Sequence, residues 1–211
     1  MKILIINPNS DIHTAKILQN KANMVLPEEA DMEVQCLKTT PLLISSYKDC
    51  AMAAAELVTL IEQKQEEYDA FIIACHSDPG LDAAREISSK PVWGIGEASF
   101  KTASFFGGRI MCLVPSEKTG NRKFDSARKY FVNENFYGNV VSKGDAYEQL
   151  LEAGRIAREQ GAGVIILGCA NYSAYDGRLE KELGIPVLDG LACALSLAYG
   201  FQRYLLEKKR V

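Results

Sequence analysis

Two stretches of the chain read as versions of one another, and that repetition narrows the architectures open to it. Phe71-Ile72-Ile73-Ala74-Cys75-His76-Ser77-Asp78-Pro79-Gly80 and Val164-Ile165-Ile166-Leu167-Gly168-Cys169-Ala170-Asn171-Tyr172-Ser173 each begin as an unbroken apolar run and then turn polar, with a cysteine at the break. Such a run suits a strand buried on both faces, the usual state in a parallel sheet covered by helices. Cys75 and Cys169 stand 94 residues apart, Pro91 and Pro186 95, and Ile5-Ile6-Asn7-Pro8 is echoed by Cys112-Leu113-Val114-Pro115. Strands alternating with helices therefore predict an α/β protein of two similar, pseudo-symmetric lobes. Each is a mostly parallel sheet flanked by helices, and a ligand cleft lies between them.

In the first lobe strands are expected over 2–6, 32–37, 68–74 and 91–95. A helix capped by Ser10 or Asp11 runs to 25, and others cover 47–66, 81–88 and 97–106. Asp78 reads as the cap, and Pro79 as a first-turn residue, of the helix over 81–88. Gly107-Gly108 is the expected hinge. The second lobe repeats the alternation, with strands over 109–114, 137–141, 164–167 and 184–188. Its helices are placed over 119–131 and 145–160, from a cap at Asn171 or Ser173 to 183, and over 190–208. The Lys208-Lys209-Arg210 tail reads as a solvated helix end.

A net charge of −3 argues against nucleic acid as a partner, because neutralising phosphates needs a basic surface. No apolar run is long enough to span a bilayer. Met1 to Ile6 is too short for a signal peptide and reads as the first strand. Six cysteines without an export signal point to free thiols in the reducing cytoplasm. They form no Cys-x-x-Cys pair, and with only His13 and His76 as histidines a metal site has little support.

Most free cysteines are small buried hydrophobes, which is how Cys36, Cys50, Cys112 and Cys193 read. Cys75 and Cys169 differ: both lie at the carboxyl end of a buried strand, where open parallel sheets bind ligands, and both precede polar capping residues. A helix beginning there would direct N–H groups at the thiol and lower its pKa from ~8.5. Two such thiols facing each other across a cleft could form a disulfide, or could invert an acidic C–H centre. In the second case a thiolate removes the proton from one face and a thiol returns one to the other. Each sulfur would then lie about 3–3.5 Å from the reacting carbon. The simplest reading of Asn7-Pro8-Asn9-Ser10, of Ser45-Ser46 and of Ser77 is a turn or helix cap. Their functional reading is a set of amide and hydroxyl groups for a carbonyl or imide, with Asn9 foremost. His76 is expected to be packed or supporting, oriented by Glu97, since neighbours in an extended segment point to opposite sides. Gly94-Ile95-Gly96-Glu97 lacks the third glycine of a dinucleotide loop.

Five stretches together carry a resemblance: Ile6-Asn7-Pro8-Asn9-Ser10, Ser77 to Glu86, Gly94-Ile95-Gly96-Glu97-Ala98, Leu167-Gly168-Cys169-Ala170 and Ile185-Pro186-Val187-Leu188-Asp189-Gly190. The chain resembles the hydantoin racemase branch, including allantoin racemases, of the aspartate/glutamate racemase superfamily. That resemblance implies cofactor-independent racemisation of a small cyclic ureide by Cys75 and Cys169, and a homo-oligomer. It implies a last helix that returns to the first lobe, dividing the chain into 1–106 with 190–211, and 107–189. It places substrate contacts on Asn9, Ser10, Ile44, Ser45, Ser77, Asp78, Gly168, Ala170 and Asn171. Departures at His76 and at Asn171-Tyr172, which stands in place of Gly-Met, point to a smaller or more polar ligand. A decarboxylase or cis–trans isomerase of the same superfamily is the alternative enzyme. A two-lobed small-ligand binding protein is the alternative of another class.

Overall fold

The computed structural model describes residues 1–27 and 30–208; Lys209 and Arg210 of the basic tail lie outside them. The first half builds β1 (Lys2–Asn7), α1 (Ile12–Val25), β2 (Asp31–Cys36), α2 (Tyr47–Lys64), β3 (Ala70–Ile73), α3 (Leu81–Ile87), β4 (Val92–Gly94) and α4 (Ile95–Ser104). The second builds β5 (Ile110–Val114), α5 (Glu117–Lys129), β6 (Phe136–Val141), α6 (Tyr147–Glu159), β7 (Val164–Leu167), α7 (Asp176–Leu183), β8 (Val187–Asp189) and α8 (Gly190–Lys208). A single 3-10 turn, Ala170–Tyr172, follows β7.

Each half forms one four-stranded sheet with every pairing parallel, in the order β2-β1-β3-β4 and β6-β5-β7-β8. The central strands β1, β3, β5 and β7 are almost wholly buried and unbroken in apolar residues, as strands covered on both faces must be. In the first sheet Ile3, Ile5 and Ile72 face the α1/α8 side, while Leu4, Ile6, Phe71 and Ile73 face the α2/α3 side. The last helix α8 packs on α1 and α4, so the chain end covers the first sheet.

Local chemistry explains most helix starts. Asp11 caps α1, its carboxylate accepting from the N–H groups of His13 and Thr14. Ser46 caps α2 and Ser116 caps α5 through the N–H groups of Asp49 and Thr119. Two expectations fail. Asp78 does not cap α3; Gly80, with φ +73°, stands at that helix start, and the Asp78 carboxylate turns to the N–H groups of Gly96 and Glu97 at the start of α4, at 2.9 and 2.7 Å. Neither Asn171 nor Ser173 caps α7, which begins at Asp176 after Tyr175 with no side-chain cap. No helix among the described residues is long and apolar enough to cross a membrane.

Candidate active site

Within each sheet the connections leave in opposite directions from the middle strands. The crevice at a parallel sheet's carboxyl end opens at that switch point, between β1 and β3 and between β5 and β7. Both crevices contribute to one cavity of about 130 Å³. The β1 end supplies Asn9, the β3 end Ala74, Cys75, His76 and Ser77, the β5 end Pro115 and Ser116, and the β7 end Gly168, Cys169, Ala170 and Asn171. Thr14 of α1, the 43–45 loop, and Thr119 and Lys123 of α5 complete the wall.

Cys75 and Cys169 are both free thiols, and each keeps part of its surface on the cavity. They are surrounded by protein on their other sides. Burial pushes the Cys75 thiol up to about 12 and raises Cys169 as well, because a thiolate is disfavoured where water is displaced. The expected lowering by a helix start does not occur, since α3 begins six residues after Cys75 and α7 seven after Cys169. A smaller opposing effect comes from nearer donors. The Ser77 N–H serves Cys75 and the Asn171 N–H serves Cys169, and Lys123 favours the charged form of both. The two N–H donors are themselves repeat-related, each two residues past its cysteine.

The polar groups around the thiols are oriented by specific bonds. Asn9 Oδ1 accepts from Asn7 Nδ2 at 2.7 Å and from the Asp11 N–H at 3.0 Å, which leaves its NH2 group for a ligand. Asn171 Oδ1 lies 2.6 Å from Thr14 Oγ1, whose single proton also faces Asp11 Oδ2 at 2.5 Å, so Thr14 fixes the Asn171 amide at the opposite side of the cavity. Ser45 donates to Asp49 through both its N–H and its hydroxyl, at 2.9 and 3.0 Å. The Ser46 hydroxyl, followed by these Ser45 bonds, holds the Asp49 carboxyl down at about 2.

Three expected site residues lie elsewhere. Ser10 is not on the cavity wall; its N–H donates to Pro41 O at 3.2 Å. Asp78 is also off the wall. It is buried, and besides its α4 contacts it accepts from Tyr130 OH at 2.6 Å. Glu97 does not orient His76; its carboxylate pairs with Arg85 and Lys101, each at 2.5 Å. The Tyr172 phenol also faces away, 2.6 Å from Ser142 Oγ, so of the Asn171-Tyr172 pair only the amide meets the cavity.

Lys123 and Thr14 escape a reading of the sequence. The signal for Lys123 is faint but present: Thr119, Lys123 and Ala127 share the buried face of α5, where an apolar residue is the ordinary occupant. Among the described residues no three His, Cys, Asp or Glu side chains gather into a metal-holding group.

The fold and the cavity together define a two-lobed α/β protein that presents one thiol from each lobe to a shared cleft. A family model described as Asp/Glu/Hydantoin racemase matches residues 3–198, and the chain belongs to that family. It is 34% identical to the hydantoin racemase of Pseudomonas sp. (strain NS671) over 94% of this chain and 84% of that one. It is 32% identical to the hydantoin racemase of Rhizobium meliloti over 94% of this chain and 87% of that one. Among solved structures, allantoin racemase from Klebsiella pneumoniae superposes with a TM-score of 0.88 at 25% identity, covering 97% of this chain and 88% of its own.

Proposed function

We propose that this racemase interconverts the enantiomers of a hydantoin-type cyclic ureide, a 5-substituted hydantoin or allantoin, with Cys75 and Cys169 as its two proton-transfer groups. The observation that carries the reading is one cavity bearing a thiol from the matched position of each lobe. The thiolate of one cysteine takes the proton from the ring carbon beside the carbonyl, and the electron pair moves onto the carbonyl oxygen. The thiol of the other returns a proton to the opposite face, and the thiolate has changed sides. Asn9, with its amide oxygen already occupied, offers an NH2 donor for a ring carbonyl and for the developing oxyanion, and the Asn171 amide faces the ring from the opposite side. Ser77, Ser45, Ile44, Gly168 and Ala170 complete the wall that holds the ring. The small cavity and the added amide favour a compact, polar ring.

The packing of α8 on α1 and α4 supports dividing the chain into 1–106 with the last helix, and 107–189. Free thiols throughout suit a reducing cytoplasm. Exposed Phe201, Tyr204 and Leu206 on α8 suit a homo-oligomer. Polarimetry on single enantiomers of allantoin and of substituted hydantoins, with C–H exchange followed in D₂O, tests the activity. Loss of optical rotation with deuterium entering the product is the expected result. Decay of arylmalonates or isomerisation of maleate in its place would assign the cleft to the alternative chemistry, and binding without any turnover would make it a binding protein.

A further inference from the structure

Lys123 reaches from α5 of the second lobe into the loop after Cys75 in the first. Its Nζ lies 2.9 Å from His76 Nδ1 and 3.1 Å from His76 O. Lys123 is 1% exposed and His76 2%, yet both border the cavity. On the far side of the ring, His76 Nε2 is 3.0 Å from Ser99 Oγ, and Ser99 Oγ donates to Gly96 O at 2.9 Å. That last bond uses the only hydroxyl proton of Ser99, so Nε2 carries the ring hydrogen and Nδ1 accepts from the lysine. Burial drives the His76 pKa well below its ordinary value, which agrees with a neutral ring.

Among the described residues no carboxylate pairs with Lys123, and the Asp78 carboxylate is committed to Gly96, Glu97 and Tyr130. A buried ammonium without a counter-charge is costly. The titratable groups that face it are Cys75, His76 and Asp78 from the β3 loop, Cys50 from α2, Cys112 from β5 and Cys169 from the β7 end. Of these, Cys75 and Cys169 border the cavity and can exchange protons with a ligand there.

We propose that Lys123, seated on neutral His76, is the charge-setting residue of the cleft: its ammonium accompanies one negative charge that resides in turn on one thiol, on the ring oxygen and on the other thiol. This rests on the racemase reading above. The transfer balances without any further reactant. One sulfur gains the proton that the carbon loses, and the second sulfur loses the proton that the carbon regains. Once one thiol is ionised, the cleft keeps one positive and one negative charge throughout the transfer. A neutral imidazole suits the seat because it holds the ammonium without cancelling its charge, as a carboxylate would.

The test titrates the thiols without substrate. The rate of Cys75 and Cys169 alkylation by iodoacetamide is followed by peptide mass spectrometry in the parent protein, Lys123→Gln and Lys123→Arg. Lys123→Gln should slow the alkylation of both thiols roughly tenfold at a fixed pH of about 8–9. Lys123→Arg should restore the rate. Unchanged rates in Lys123→Gln overturn the proposal, even if racemisation is lost. Should the glutamine variant not fold, the coupling is read from the other side. In Cys75→Ser/Cys169→Ser the Lys123 ammonium, followed by ¹³Cε NMR, should titrate at lower pH than in the parent protein. An unmoved titration there overturns the proposal equally. Slowed thiol alkylation in Lys123→Gln, with the parent protein inactive on every ureide, would sink the substrate assignment and leave the role of Lys123 standing.

Discussion

The two lobes share a sheet order and a thiol position, and they differ in what surrounds the thiol. Asp82 and Asp176 are 94 residues apart, like the cysteines, and each pairs with a lysine from the first helix of the opposite lobe: Lys129 with Asp82 at 2.6 Å, Lys21 with Asp176 at 2.7 Å. A residue just past each cysteine, one on in the first lobe and two on in the second, is also held from across the cleft, His76 by Lys123 and Asn171 by Thr14. One grip is charged and one is neutral. The carboxylate at the start of the lobe-closing helix differs too. In the second lobe it belongs to the strand end, where Asp189 accepts from the Ala192 N–H at 2.8 Å. In the first lobe Gly94 stands at the strand end and the carboxylate comes from Asp78, in the cysteine loop. A Cβ on Gly94 would lie 2.4 Å from Asp78 Oδ1. The scaffold that brings both thiols to one cavity is held constant, and the polar parts are re-sourced around it.

The sharpest way to break this comparison is to remove one thiol at a time. Cys75→Ser and Cys169→Ser should each lower racemisation by about a thousandfold or more in polarimetry. The lobes are distinguished if one variant still exchanges deuterium into a single enantiomer. Full activity in either would end the two-thiol mechanism.

The helix-start carboxylates come next. Asp78→Ala leaves two N–H groups and the Tyr130 hydroxyl unpaired inside the protein, and should cost about 3 kcal/mol in urea unfolding. Asp189→Ala should cost about 1–2 kcal/mol, as a lost cap does. Gly94→Ala should destabilise the parent protein but do so by about 1 kcal/mol less in the Asp78→Ala background.

Of the interlobe ion pairs, the half-buried Lys21–Asp176 should lose about 2 kcal/mol on Asp176→Asn, against less than about 1 kcal/mol for the exposed Lys129–Asp82 on Asp82→Asn.

The thiols also set a pH dependence. Cys75 rises from 9.0 to about 12 on folding, so the folded state binds the proton more tightly. Its contribution is complete below pH 9 and is lost as pH rises from there toward 12, with about 1 kcal/mol gone near pH 10. Melting in a pH series should show this decline flattened in Cys75→Ser. The smallest effect concerns Gly80 and Ala174, repeat-related residues at φ +73° and +81°. Ala174→Gly should stabilise by about 0.5–1 kcal/mol, and Gly80→Ala should destabilise, its Cβ meeting Ala54 Cβ at 2.9 Å.

The sheets and the thiols were legible because both are written locally. An unbroken apolar run followed by a polar break marks a central strand and its ligand-bearing end, and repetition at 94 residues marks the pair. The cap of α4 was not legible, because the Asp78 carboxylate serves a helix 18 residues on while standing three residues before one it does not cap. Glu97 was misread for the same reason, its partners Arg85 and Lys101 being set by the helix faces rather than by nearness to His76. Lys123 was hard to read because its place on the buried face of α5 is the one local sign of it, and its partner lies 47 residues earlier, in the other lobe. Thiol ionisation was misjudged because the two helices start too late to reach the sulfurs.

The crosswise grips carry a consequence for how a ring enters. His76 and Asn171 are each anchored from the far bank, so widening the gap to admit a ligand loosens both anchors in one stroke. Any separation of the banks would therefore cost the cavity its charged anchor and its neutral one together.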